Sequence, residues 1–409
     1  MIYYLVLLNF VLNTYIFGIH NSSVKGAILT VICFISALFF YRKHKVNYKD
    51  PLVVGILLIM IGIIGQALRN LIEGMDIETI LVRMQPLYVY FYFLPLVIVL
   101  NSKNKIIQFI KLIKISAVLS AIFSIIQYIT QISTSGSTGK YADGYFRVYH
   151  PDAYLMAVSL FIIVSEIILG QTKIKTSKLN FVFAFLIILG ILTTLHRNLI
   201  GATFIGLIII VSTNIYFGNK INIFKFTAVI FSLIFIGSII TEYIGISADA
   251  ITDRVSTGID DLINVEGNFS LRFALILAQF LDIWNYYPIF GKGFDFIPLS
   301  VDNYLKFDPY TLVADADYGN IVIIFGFSIL LILIYIYYHL QNRALTNIKI
   351  RGDLVSKILA LSIIPLPFFF IVIGFFAPIS SEPPFLNPLI SMIALIVVSN
   401  EDKSTIIHQ

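Results

Sequence analysis

The sequence predicts an all-α, polytopic integral membrane protein with about 12 transmembrane helices. The chain of 409 residues is 58% hydrophobic and only 12% charged, about half the charged fraction of a soluble domain. Its mean hydropathy is +0.91, and long apolar runs recur along the whole chain. This composition excludes a cytosolic enzyme, a nucleic-acid-binding protein and a disordered chain, because there is too little polar surface to cover a water-soluble domain.

A transmembrane helix needs about 20 mostly apolar residues. Such spans are predicted at 2–19, 24–41, 51–68, 84–100, 109–130, 151–170, 180–195, 198–217, 226–246, 319–339, 358–377 and 386–399. No basic region precedes the first apolar run, so we interpret it as a retained span and not as a signal peptide. Cys33 is the single cysteine, which excludes an intrachain disulfide. Without an internal repeat or a linker, we expect one membrane domain over 1–409.

Lys and Arg in the loops predict the orientation, since they are in excess on the cytoplasmic side of membrane proteins. If both termini lie in the cytoplasm, 18 of the 28 Lys and Arg residues lie on the cytoplasmic side. Every short, strongly basic loop then falls on that side. This bias accounts for the net charge of +5 without an acidic partner. Six of the other ten lie in the outer segments 131–150 and 247–318, where the rule has less force.

The outer-face segment 247–318 is the longest one between predicted spans, and its length favours a function over a simple connection. Residues 270–287 within it predict an amphipathic helix at the membrane interface, capped by Ser270 and ended by Pro288. Four polar residues form one stripe of this helix: Arg272, Gln279, Asp282 and Tyr286. The stripe predicts a polar line facing a pocket, and an ordinary surface helix is the alternative.

Two further features follow in the same outer segment. Gly291-Lys-Gly293 is compatible with an anion-binding loop or with a turn. Asp315 and Asp317 lie beside Tyr318 at the outer mouth of the tenth predicted span, and they are candidates for base chemistry. Hydrated charges flanking a span are the alternative for this pair.

The predicted spans 180–195 and 198–217 are separated only by His196 and Arg197. Arg197 is therefore expected at the outer headgroup level. Such a residue faces a water-filled cavity with a partner, or it snorkels to lipid phosphates. The outer loop 131–150 carries Arg147 and His150, which the topology places at the same edge as Arg197. A solvated loop residue is the alternative for His150.

Four segments carry a family resemblance: Arg147–Met156 (RVYHPDAYLM), Thr193–Gly201 (TTLHRNLIG), Arg254 with Ser270–Phe294, and Asp315–Gly326 (DADYGNIVIIFG). In this order they resemble motifs of the O-antigen polymerase/ligase superfamily of bacterial envelope glycan enzymes. Asp152 stands where the family motif has Asn, and His196 stands where it has Ser. Asp315 stands where the ligase branch has its histidine base, which favours the polymerase branch.

The resemblance implies a glycosyltransferase in the bacterial cytoplasmic membrane. We expect it to need no metal and no cofactor, because no adequate cluster of hard ligands lies beside the arginines. It would join oligosaccharide repeat units carried on undecaprenyl diphosphate at the outer face, for O-antigen of lipopolysaccharide, capsule or a related glycan. Membrane lipid and a chain-length regulator protein are further implied partners. Arginines would hold the diphosphate: Arg197 and Arg272, with Arg147 and Arg254. The base would be Asp315 or Asp317, or else His150, and three tyrosines would stack on sugars: Tyr286, Tyr310 and Tyr318.

Ligase-type transfer to another acceptor and a flippase or transporter of lipid-linked sugars are the alternatives. Glu166, near the inner end of the sixth predicted span, is expected to snorkel to the interface. Other charges are almost absent from the span interiors, which argues against a proton- or sodium-coupled relay. A structural scaffold would leave the outer arginines unexplained.

Overall fold

The computed structural model describes residues 2–12, 23–40, 46–132, 138–142, 145–149, 152–169, 174–218, 267–294, 297–298, 311–312, 317–349, 353–374 and 383–404. Each predicted span except 226–246 overlaps a helix in these ranges, and 226–246 lies outside them. The apolar runs of the sequence therefore locate the helices in the described ranges.

The helices, in chain order, are α1 (Ile2–Leu12), α2 (Ser23–Phe40), α3 (Pro51–Ile72), α4 (Ile77–Met84), α5 (Val89–Val99), α6 (Lys103–Thr130), α7 (Ala153–Ile168), α8 (Ile174–Thr193), α9 (Arg197–Tyr216), α10 (Gly267–Tyr286), α11 (Asp317–Phe325), α12 (Ser328–Lys349), α13 (Leu354–Ile363), α14 (Leu366–Gly374) and α15 (Pro383–Ser404). A 3-10 turn at Gln85–Tyr88, which contains Pro86, joins α4 to α5. Strands β1 (Thr138–Ala142) and β2 (Tyr145–Tyr149) form an antiparallel hairpin. Strands β3 (Ile297–Pro298) and β4 (Thr311–Leu312) pair in parallel.

Within the described part of the chain, four helical segments are long and apolar enough to cross a membrane: Pro51–Ile72, Lys103–Thr130, Asn198–Tyr216 and Leu354–Gly374. Their outward faces expose large apolar side chains such as Ile61, Phe204 and Ile371, while the opposite faces are buried in the core. Apolar surface of this kind suits a hydrocarbon solvent. These properties support a helical membrane protein.

Ion pairs join loops that the charge pattern assigns to one side of the membrane. Asp50 begins α3 by accepting a hydrogen bond from the Leu52 amide at 2.9 Å, and it also contacts Arg343 of α12 at 2.6 Å. Lys103 at the start of α6 contacts Asp353, just before α13, at 2.6 Å. The start of α3 therefore lies beside the end of α12, and the start of α6 lies beside the start of α13.

Three predicted boundaries need correction. The amphipathic helix begins at Gly267, three residues before the predicted cap Ser270. The predicted tenth span is two helices, since α11 ends before Gly326, which has a left-handed φ of +69°. The last helix spans 22 residues and extends beyond 386–399 at both ends.

Candidate functional site

The structure describes some of the predicted site residues and leaves others outside the described ranges. Those outside the described residues are His150, Arg254, Tyr310 and Asp315. The structure describes only the backbone position of Arg147 in β2, Arg197 at the start of α9, Arg272 in α10, and Asp317 and Tyr318 at the start of α11. Tyr286, the last residue of α10, is 68% exposed. The surrounding contacts therefore define the neighbourhood of each segment.

A buried polar contact region joins α6 to the start of α7 and the end of α8. Ser120 donates a hydrogen bond to Asp152 at 2.8 Å, and the Ser124 and Thr193 hydroxyls lie 2.8 Å apart. All four residues are buried. We call Ser120, Ser124, Asp152 and Thr193 the α6 seam. It ties the start of α7 and the end of α8 to neighbouring turns of α6.

Small residues allow the close packing on which the α6 seam depends. A Cβ added at Gly190 of α8 would lie 2.6 Å from the Ala121 Cβ and 2.7 Å from its Cα. Small residues at helix interfaces let backbones approach, and Ser and Thr then bond across the interface. The sequence signal for the seam is Ser116, Ser120 and Ser124, repeated every four residues in an apolar helix.

The turn between α8 and α9 is strained. Leu195 is buried and has a φ of +46°, a conformation that costs a bulky residue about 1–3 kcal/mol. His196 caps α9, because its Nδ1 accepts a hydrogen bond from the Leu199 amide at 3.3 Å. Arg197 is thus the first residue of a helix whose N-terminus carries partial positive charge. Neither the strain nor the cap was predicted from the sequence.

The segment 131–150 contains the β1–β2 hairpin where a loop was expected. Its register places Lys140 directly opposite Arg147, and Gly139 opposite Val148. Val148 is buried, and β2 packs against α6. Strand positions alternate between faces, so positions 140 and 147 share the face opposite to that of Val148.

Helix α10 is amphipathic, as predicted. Leu281 and Trp284 are exposed on one side, with Trp284 at 65%, whereas Gln279 is only 2% exposed on the other. Arg272 lies seven residues before Gln279 and therefore on the same helical face. Gln279 faces the protein interior, as predicted for the polar line. Tyr286 does not, because it is exposed at the end of the helix.

Three glycines join the end of α10 to the break between α11 and α12. Gly291, Gly293 and Gly326 have φ values of +64°, +79° and +69°. A Cβ at Gly291 would collide with the backbone of Gly326, and the Phe327 amide donates to the Pro288 carbonyl at 2.9 Å. We call Gly291, Gly293 and Gly326 the glycine junction.

The amides of the glycine junction decide between the two interpretations of Gly291-Lys-Gly293. The amides of residues 291–294 donate, in order, to the Tyr287 carbonyl (3.0 Å), the Ile323 carbonyl (2.7 Å), the Ile324 carbonyl (3.1 Å) and the Asn70 side chain (2.7 Å). Because each amide already has an acceptor within the protein, the motif is a structural turn and its backbone is not an anion site.

Two arginines, Arg69 and Arg83, support this turn. Arg69 donates to the Gly291 carbonyl at 2.8 Å, and Arg83 donates to the Phe294 carbonyl. Asn70 lies between them and accepts from the Phe294 amide. These guanidinium groups therefore satisfy backbone carbonyls, and their role is structural.

Glu166 was predicted to snorkel to the interface, but it pairs within the protein instead. Its carboxylate contacts Lys114 at 2.8 Å and Asn180 at 2.8 Å, so it links α7 to α6 and α8. The side chains of Lys114 and Glu166 are each 13% exposed. An acidic group inside an apolar bundle pairs with a cation instead of extending to water when a neighbouring helix supplies one.

The described contacts divide the segments that carry predicted site residues into two groups. The hairpin of Arg147 and the helix start at Arg197 belong to segments anchored on α6, and α10 with Arg272 packs against α11, which begins at Asp317. No protein-family model matches the sequence, and no curated protein matches it. The family resemblance therefore stays a prediction from the sequence motifs.

Proposed function

We propose that the protein is a membrane glycosyltransferase that polymerises oligosaccharide repeat units carried on undecaprenyl diphosphate at the outer face of the bacterial cytoplasmic membrane. In this proposal the chain has about 12 spans and both termini in the cytoplasm. The product is O-antigen, capsule or a related surface glycan.

The observation that carries the proposal is the pairing of α10 with α11. Both helices end at the glycine junction and pack along each other. A helix that supplies an arginine is thereby joined to one that starts with a carboxylate: Arg272 lies in α10 and Asp317 begins α11. Transfer from a phosphate-linked sugar needs both kinds of group, a cation for the leaving group and a base for the attacking hydroxyl.

The exposed apolar side of α10 suits a substrate that is itself a lipid. Leu277, Leu281 and Trp284 would lie in the outer leaflet, and tryptophan is enriched at membrane interfaces. The opposite side, with Gln279, faces the protein. A lipid-linked sugar could therefore reach the polar side of this helix from the bilayer.

The strained turn before Arg197 supports a second cation at the same level. Left-handed strain at a residue such as Leu195 persists only where the surrounding structure fixes it, and it clusters at functional sites. Arg197 at a helix N-terminus offers a guanidinium and helix-end amides to an anion. We assign Arg197 and Arg272 to the diphosphate, with Arg147 and Arg254 as additional contacts.

In the proposed reaction the acceptor hydroxyl oxygen attacks the anomeric carbon of the donor sugar. The bond from that carbon to the diphosphate oxygen breaks, and lipid diphosphate leaves with the electron pair. Asp315 or Asp317 takes the hydroxyl proton, with His150 as the alternative base, and later releases it to water. Arginines stabilise the charge that develops on the leaving group.

The structure of the break between α11 and α12 argues against a transporter. Discontinuous helices in transporters direct their free backbone groups at the substrate. Here the Ile323 and Ile324 carbonyls at the end of α11 already accept from the turn at 291–293. The break therefore has a structural partner within the protein.

The test is a reconstituted assay with lipid-linked oligosaccharides extracted from the host's own membranes. We expect R197A and R272A each to reduce polymer formation by about 100-fold or more, the loss typical of removing one charge-stabilising group. R197K should be intermediate, because lysine keeps the charge and loses bidentate geometry. K105A, at the opposite end of the bundle, is the matched control and should polymerise normally.

Polymer of wild-type length from R197A or R272A would contradict the proposal. A protein that relocates the lipid-linked sugar across the bilayer without lengthening it would instead be the flippase. Release of lipid diphosphate in step with chain growth separates transfer from transport.

A further inference from the structure

The α6 seam has a regular geometry. Ser120 and Ser124 are four residues apart on α6, which places their Cβ atoms about 5–6 Å from each other on one face. One binds Asp152 and the other binds Thr193. Two chain segments that are about forty residues apart in sequence are thus held one helical turn apart.

Each segment leads directly to an arginine of the proposed diphosphate site. Asp152 lies three residues after the end of β2, the strand that contains Arg147. Strand β2 also packs on α6, and its residue Val148 is buried. Thr193 precedes Arg197 by four residues, across the strained turn. The seam therefore anchors both arginine-bearing segments to α6.

Asp152 does not use its side chain to cap its own helix, and it contributes to the seam instead. It occupies the N-cap position of α7, where an aspartate typically accepts from the helix's own amides, yet its side chain makes no cap hydrogen bond. The carboxylate is instead 1% exposed and accepts from Ser120. A buried carboxylate is costly unless it is hydrogen-bonded, so this contact matters for where the segment sits.

We propose that the α6 seam sets the separation between the Arg147 and Arg197 segments, so that Arg147 can add a further guanidinium contact to the diphosphate that Arg197 holds. Asp152 is then a positioning residue and not the base. The inference rests on the proposed function for its chemical meaning, while the geometry that it predicts can be measured independently.

The measurement is the distance between spin labels at positions 140 and 198, which neighbour the two arginines and leave both in place. Cys33, which is buried, is replaced by Ala so that only the introduced cysteines carry labels. We expect one narrow distance distribution in the reference protein. S120A/S124A and D152L should broaden or shift it, whereas D152N should preserve it, since an amide oxygen still accepts from Ser120.

S116A is the matched control. Ser116 is buried one turn before Ser120 on the same face of α6, and no cross-helix hydrogen bond of its side chain is described. Its removal should leave the distribution unchanged. If the double variant does not fold, S120A and S124A tested singly remove one bond each.

Activity gives the second readout. We expect S120A/S124A to lose about 100-fold in kcat/KM for the lipid-linked donor, the scale of a misplacement of about 1 Å. The pH profile of D152N should match that of the wild type, which a base could not do. An unchanged label distance in S120A/S124A, or a shifted pH profile in D152N, overturns the positioning role.

The two proposals fail separately. If the wild-type protein makes no polymer, the proposed function is wrong, and the label distances still decide whether the seam positions the two segments.

Discussion

The α6 seam and the glycine junction hold the two groups of predicted site residues by different means. The seam uses side-chain hydroxyls and a carboxylate across helix faces. The junction uses backbone amides that donate to the last carbonyls of α11, with glycines where the backbone turns left-handed.

This difference follows from what each region must satisfy. Helices α6, α7 and α8 already satisfy their own backbones, so only side chains remain to set their relative position. The break between α11 and α12 leaves backbone groups without helical partners, and in an apolar environment these groups need partners from elsewhere in the chain. Substitutions should therefore be tolerated in the seam when a hydrogen bond survives, and not in the junction.

A large effect on stability is expected at Glu166, which joins the same three helices as the seam. E166A leaves the part-buried Lys114, 13% exposed, without its ion-pair partner, and this loss should destabilise by up to about 3 kcal/mol, the lower end of the cost of breaking a buried pair. Reversible unfolding in mixed micelles measures it. K103A breaks the exposed Lys103–Asp353 pair and should cost at most about 1 kcal/mol. Equal losses in the two variants would show that the buried pair has no special weight.

A comparable effect is expected at the glycine junction. G326A adds a Cβ 2.5 Å from the Ile289 carbonyl at a left-handed position, so strain and overpacking together should cost about 3 kcal/mol or more. G201A is the control, because no atom lies within 4 Å of a Cβ there, and it should be neutral or slightly stabilising. A G326A protein as stable as G201A would contradict the distinction between backbone and side-chain anchoring.

A smaller effect than at Glu166 or Gly326 is expected at the cap before Arg197. H196A removes the acceptor for the Leu199 amide and should lower the free energy of unfolding by about 0.5–2 kcal/mol. H196S and H196N supply another acceptor and should restore most of it. Thermal unfolding in detergent compares the three, and an H196S as unstable as H196A would exclude the capping role.

Parts of the site were predictable because they depend on local pattern. The short link before Arg197 follows from the two apolar runs on either side of it. The amphipathic helix with Gln279 inside follows from the spacing of its polar residues. The left-handed Leu195 was not predictable, because nothing local favours a leucine in that conformation. The role of Arg69 was also hidden, since its acceptor, the Gly291 carbonyl, is 222 residues away in sequence.

The amino-acid sequence by itself determined that this is a membrane protein and where its described helices lie, because both depend on apolar composition and on the length of the apolar runs. Only the tertiary structure decided which polar groups serve the fold. It assigned Glu166 to an ion pair and the Gly291-Lys-Gly293 amides to backbone carbonyls. It also assigned Asp152 to Ser120. Hydrogen-bond partners are set by three-dimensional proximity between distant segments, and no single segment of sequence contains that information.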